Sequence, residues 1–239
     1  MANQSLRYQF HRVPRRRHIH LLVDDDGALH VRAPLRCSAG DAERMIRDNQ
    51  IWVLRNLAGA KHRLALRPRL CSGAILPLLD ERLKLIVNPV VQADLFDATA
   101  ALDTNDICRR GSELHVRLAR DSEECLKSSL EGWYRECAKC VLPARVERFS
   151  KLLSVRPNRV TIRGQKTCWG SCSGRGNISL NWRLMLVPAP LADYVVVHEL
   201  CHLRFLDHSR GFWRFVETFV PDYRRKRQAL RAAQTTLVL

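Results

Sequence analysis

Near the start of the chain, apolar and polar positions alternate as they do in half-buried strands. Tyr8–Val13 and His18–Asp24 are strand-like, with Ile19, Leu21 and Val23 set against His18 and His20 and one slip at Leu22. Asp24-Asp25-Asp26-Gly27 reads as a turn, because glycine takes a positive φ at little cost. Ala28–Pro34 returns as a second strand, giving a hairpin over 18–34. Ser38 is a suitable N-cap for a helix over Ala39–Leu57, whose apolar positions include Ala42, Met45, Ile46, Trp52, Val53 and Leu57. Residues 60–77 are basic and broken by Pro and Gly, so they read as a connector. Arg82–Asn88 and Glu113–Leu118 predict two further strands, on either side of an Asp/Ala-rich stretch with no clear period.

From Ser122 the period becomes helical. Ser122–Cys140 and Pro143–Leu153 predict a long helical region, kinked or broken near Pro143. Arg159–Ile162 predicts a strand, and Gly164–Ser171 with Asn177–Trp182 a hairpin about the turn at 173–176. Leu191–Phe205 predicts an apolar helix. Ser209 caps a helix over Arg210–Val220, and Pro221-Asp222 opens a basic helix to about Ala233. The pattern predicts an α+β fold, with an N-terminal β-rich subdomain over 1–120 and a second domain over 121–239.

The longest apolar runs are only a few residues, which argues against a transmembrane helix, and the first residues lack the apolar core of a secretory signal. Nine cysteines at irregular spacing then read as reduced thiols of a cytoplasmic protein. Cys137-x-x-Cys140 and Cys168-x-x-x-Cys172 read as coincidence rather than a second metal site, because ligand pairs normally lie on tight knuckles. Forty Lys and Arg against 24 Asp and Glu give a formal charge of +16. The excess is +8 over 1–70, −2 over 71–150 and +10 over 151–239. Such a surface suits weak polyanion or nucleic-acid contact. Thirty-three of the forty cations are Arg, however, which compositional bias alone could produce.

The chemistry concentrates in Val195-Val196-Val197-His198-Glu199-Leu200-Cys201-His202, an HExxH motif on an expected helix. His198 and His202 are one turn apart on one face, so both imidazoles can reach one metal ion. Glu199 lies about 100° round from His198, close enough to take a proton from a water on that metal. This is the zincin arrangement, with two helical His ligands and a Glu general base. His208 follows in a turn, six residues after His202, and is preferred as third ligand over Glu217 on the next helix. A three-ligand zinc site leaves one position for water, whose pKa the metal lowers to about 7. Tyr194, Tyr223, Arg183 and Asn181 are candidate oxyanion donors. A strand edge beside the metal helix could hold an extended peptide by main-chain pairing, with Trp169, Asn181 and Trp182 lining the cleft. A core position is the competing reading for both tryptophans.

Several motifs run together through this half: Gln165-Lys166-Thr167-Cys168-Trp169-Gly170-Ser171-Cys172, Gly176–Leu184, Asp193–His202, and His208-Ser209 with Phe212-Trp213. In this combination the C-terminal half closely resembles the YgjP-like metallopeptidase domain, a relative of the WLM and SprT-type metalloproteases. Arg17, the strand ending Val31-Arg32-Ala33-Pro34 and the helix containing Trp52 resemble the family's N-terminal part. Cys168 departs from it, standing where the family usually has Arg. The resemblance implies a zincin-like catalytic domain over 121–239, with His198, His202 and His208 as Zn2+ ligands and Glu199 as catalytic base. It also implies a metal-dependent hydrolase, most often a peptidase, acting on peptide or protein. Two alternatives stay open. One is hydrolysis of a non-peptide bond such as a nucleotide phosphoanhydride, which the basic charge would suit. The other is a nucleic-acid-associated, SprT-like protease.

Overall fold

The computed structural model describes residues 6–24, 27–66, 70–88, 106–118, 122–165, 168–234 and 239. Asp25 and Asp26 of the expected turn, residues 67–69 of the expected connector, and Lys166 and Thr167 lie outside them. So does residues 89–105, most of the Asp/Ala-rich stretch. The chain forms two compact units, Met1–Arg67 and Pro68–Leu239.

In the first unit β3 (Leu29–Ala33) is the central strand. β2 (His20–Val23) pairs with it antiparallel, as the hairpin requires, and β1 (Tyr8–Arg12) pairs parallel on the other edge. Ser38 caps α1 (Ala39–Asp48) in a reciprocal capping box with Asp41. The single helix expected here is two: Asn49 ends α1, and its side-chain amide donates to the Met45 carbonyl oxygen at 2.9 Å. α2 then runs Gln50–Leu66, further than expected, because Ala, Leu, Lys and Arg over 60–66 are good helix formers. Leu29, Val31, Ala42, Ile46 and Val53 form this unit's core.

The second unit has two sheets. β4 (Ile75–Leu78), β5 (Glu81–Asn88), β6 (Asp106–Arg110) and β7 (Glu113–Arg117) are ordered β4-β5-β7-β6. β6 carries no apolar alternation; it is an edge strand defined by its pairing to β7, so periodicity does not reveal it. Leu83, Leu85, Leu114 and Val116 share one core with Leu126, Leu130 and Tyr134. This shared core is why the compact units divide earlier in the chain than the change of period near 120.

α3 is one helix, Glu123–Leu153, capped by Ser122 and carrying Pro143 within it. Proline is tolerated here because buried side chains continue on both sides of it: Leu126, Leu130, Tyr134, Ala138 and Leu142 before, Val146 and Leu153 after. β8 (Arg159–Arg163), β9 (Gly170–Cys172) and β10 (Asn177–Asn181) form the other sheet, ordered β8-β10-β9. β9 and β10 make the expected hairpin, turned at Gly176 with φ +72°. A short 3-10 helix over Trp182–Leu186 leads into α4 (Ala189–Cys201), followed by α5 (Arg210–Phe219) and α6 (Tyr223–Gln234). The architecture is α+β. Among the described residues no helix is long and apolar enough to cross a membrane, and all nine cysteines are free.

The stripe on α3 gives a direct test. Leu130 is wholly buried and Leu152 on the same helix is 60% exposed. Leu130→Ala is expected to cost about 2–5 kcal/mol in denaturant unfolding, and Leu152→Ala no more than about 0.5 kcal/mol.

Candidate metal centre

α4 is apolar almost throughout, and its turns place His198, Glu199 and His202 together. The helix ends at Cys201, earlier than the expected Phe205, so His202 is its C-cap residue. The turn that follows brings the chain back. The Ser209 amide donates to the Asp207 carboxylate at 3.3 Å, and the Ser209 hydroxyl caps α5 at the Phe212 amide. This folds His208 over the helix end. Ligand atoms of His198, His202 and His208 all lie within 4.8 Å of one another. His198 Nε2 and His208 Nε2 are 3.1 Å apart.

Each ring is held by its surroundings. His202 Nδ1 lies 3.0 Å from the Phe205 carbonyl oxygen and donates to it, which leaves Nε2 as the free lone pair. Phe212 is wholly buried; its ring stacks on His202 at 4.6 Å and meets His198 and His208 edge-on at 5.0 and 4.8 Å. Trp213 stacks on His208 at 5.5 Å. Burial, helped by His202, His208 and Arg227, pushes the His198 pKa down to about 3. Burial and His202 also lower that of His208. Neutral imidazoles are the form that ligates a metal. His198 Nδ1 is buried without a hydrogen-bond partner, so the ring's useful polar atom is Nε2, facing His208. The residues present therefore fit a divalent cation.

Glu199 is 5% exposed, and burial alone pushes its carboxyl up to about 8. A cation in the imidazole cluster would draw it back to the ionised form. Its position depends on Gly170 at the start of β9. A Cβ built at Gly170 would stand 2.8 Å from both Cγ and Oε1 of Glu199, closer than packed atoms approach. Sequence reasoning gave Gly170 no role; its only signal was the Trp169-Gly170-Ser171 run ahead of the hairpin.

A cleft of about 780 Å³ opens on the cluster, lined by Trp169, Gly170, Tyr194, His198, Glu199 and His208 and by residues of α6. Trp169 lines this cleft, as one reading of the sequence had it. Asn181 and Trp182 are not in its lining. Asn181 is buried and its amide is spent on local structure: Nδ2 donates to the carbonyls of Gln165 at 2.6 Å and Cys168 at 2.9 Å, and Oδ1 accepts from the Arg183 amide at 3.1 Å. Trp182 is a wholly buried core residue stacked on Tyr134 at 6.2 Å.

Of the four oxyanion candidates only Tyr194 lines the cleft. Arg183 Nε donates to the Leu239 carbonyl oxygen at 2.9 Å, and Tyr223 stacks on Trp213 at 5.0 Å. Glu217 is exposed on α5 and outside the histidine cluster. In the basic run of α6, Arg224 donates to the Tyr223 hydroxyl at 3.2 Å and Lys226 pairs with Asp222 at 2.8 Å.

The YgjP-like metallopeptidase domain matches residues 17–233, so the chain belongs to this family. A crystal structure of the metallopeptidase zymogen of Pyrococcus abyssi abylysin is similar over 41% of this chain and 100% of that one, at 23% identity and a TM-score of 0.37. No curated protein matches.

The Gly170–Glu199 contact is expected to appear as coupling. Gly170→Ala should lower stability by about 1–3 kcal/mol, because Glu199 is too enclosed to swing aside. In a double-mutant cycle by denaturant unfolding, Glu199→Ala should recover much of that loss. Additive effects would mean that Glu199 is not what the methyl group meets.

Proposed function

We propose that this protein is a zinc-dependent peptidase in which Glu199 is the general base. The observation that carries this reading is the convergence of three imidazoles whose ligand atoms lie within 4.8 Å of one another, two of which, His198 and His208, line one cleft with the buried Glu199 carboxyl. Beside them runs β9, an edge strand among the described residues. Three imidazoles suit a borderline cation such as Zn2+ and leave a coordination position open. When bound, zinc supplies the Lewis acidity that polarises the scissile carbonyl and acidifies water.

The chain's own residues do the rest. An extended substrate pairs its main chain with the free edge of β9, against Trp169. A nucleotide has no such main chain, which favours the peptide over the phosphoanhydride. The Glu199 carboxylate accepts a proton from the attacking water. It then delivers that proton to the leaving nitrogen as the C–N bond breaks. Tyr194 donates to the carbonyl oxygen as negative charge develops there. Burial raises the phenol to about 12, so it holds its proton at neutral pH.

The test is metal analysis combined with a peptide-library cleavage assay on the purified protein. About one zinc per chain is expected, lost or sharply weakened in His198→Ala, His202→Ala and His208→Ala and retained in Glu217→Ala. Zinc that survives in all three histidine variants would overturn the site. Glu199→Gln should keep zinc and lose roughly 10²–10⁴-fold in turnover. Tyr194→Phe should lose roughly 10²–10³-fold in kcat if it is the oxyanion donor. Full turnover in either variant removes that residue from the mechanism.

A further inference from the structure

Part of the cleft lining belongs to α6, and it is basic. Arg227 and Arg231 stand one helical turn apart on it, with Leu230 between them. Both are exposed, and among the described residues neither has a carboxylate within salt-bridge distance. Other cations of this unit do: Arg135 pairs with Glu131, Arg145 with Asp193, and Lys226 with Asp222. Among the described residues Glu199 is the only carboxylate in the cleft lining.

Arg227 is also held in place. Its guanidinium lies 5.3 Å from the centre of the Trp213 ring, and Trp213 in turn stacks on Tyr223 and on the ligand His208. A guanidinium stacked on an aromatic face keeps its in-plane N–H groups free, and their fork matches a carboxylate. Packing fixes the orientation in advance, so less side-chain entropy is lost when an anion arrives.

We propose that Arg227 and Arg231 form a carboxylate subsite, so that the substrate is a peptide carrying a carboxylate within reach of the scissile bond. This rests on the peptidase reading above. The carboxylate comes either from an Asp or Glu side chain or from the free end of the chain being cut. The first source makes the enzyme an endopeptidase that prefers acidic segments. The second makes it one that trims C-termini.

The zinc-loaded full chain is assayed on matched peptides that differ only in carrying Glu, Gln or Lys at successive positions around the cleaved bond. Each is made with a free and with an amidated C-terminus. One position, or the free terminus, is expected to raise kcat/KM about tenfold, the effect of one charge-assisted hydrogen-bonded pair. The ratio should fall to about one in Arg227→Gln/Arg231→Gln and turn towards Lys peptides in Arg227→Glu/Arg231→Glu, an inversion that a merely damaged fold cannot produce. Arg214→Gln, exposed on α5 and outside the cleft lining, should keep the preference. No preference for carboxylate over amide, or one that survives the double substitution, overturns the subsite.

Equilibrium binding of the same peptides to zinc-loaded Glu199→Gln separates this failure from that of the peptidase reading. Carboxylate selectivity that depends on the two arginines, without cleavage of any peptide by the parent protein, overturns the peptidase reading and keeps the subsite. Absent selectivity overturns the subsite. So does inorganic pyrophosphate that binds in an arginine-dependent manner and displaces no peptide.

Discussion

Helix α4 is enclosed along most of its length, and that enclosure decides where its polar groups can point. Ala192, Tyr194, Val195, Val196, Val197, Leu200 and Cys201 are all buried. Towards its end α4 keeps a partly open strip at the half-buried His198 and His202, with Glu199 between them itself buried. The rest of the second unit serves this strip. α3 closes one side, with Arg145 bonded to Asp193 near the start of α4. The β8-β10-β9 sheet closes another, and α5 supplies Phe212 beneath the rings. The cleft is what remains uncovered.

Two departures from side-chain bulk keep this enclosure compatible with chemistry. Gly170 lets β9 approach until a single added carbon would collide with Glu199. Asn181 does the opposite kind of work. It is a polar residue buried deeply, but each of its side-chain hydrogen bonds goes to the carbonyls of Gln165 and Cys168 or to the start of the 3-10 helix. It fixes the approach to Trp169 without lining the cleft. The same economy separates the two tryptophans of the hairpin: Trp169 stands at the cleft and Trp182 in the core, although both flank strand ends.

What could be read from the sequence follows this division. The HExxH spacing, the cap at Ser209 and the length of the turn were enough to bring His198, His202 and His208 together, because all three depend on local geometry. The hairpin about 173–176 was legible for the same reason. Long-range facts were not. β6 shows no alternation, since its stabilisation comes from pairing with β7. The run to Leu66 was obscured by its basic character. Pro143 suggested a break, but packing of α3 on both sides of it overrides the local preference. Asn181 and Trp182 end the hairpin strand across from Trp169, and only the fold shows that they stay out of the cleft that Trp169 lines. The role of Gly170 required knowing which side chain stands opposite.

The segment joining α4 to α5 carries the third imidazole, and its apolar anchors, Leu203 and Phe205, both precede it. Residues 206–211 are all exposed, with Leu206 at 77%. Beyond the turn at Asp207 and Ser209, what fixes His208 is the aromatic face of Trp213 and Phe212. A cation shared by His198, His202 and His208 would then act as a cross-link, closing a short loop whose ordering entropy few other contacts offset. Because it would bind only the closed arrangement, it would shift the balance between open and closed loop by mass action. Metal supply would thus govern the conformation of this segment as well as the chemistry beside it.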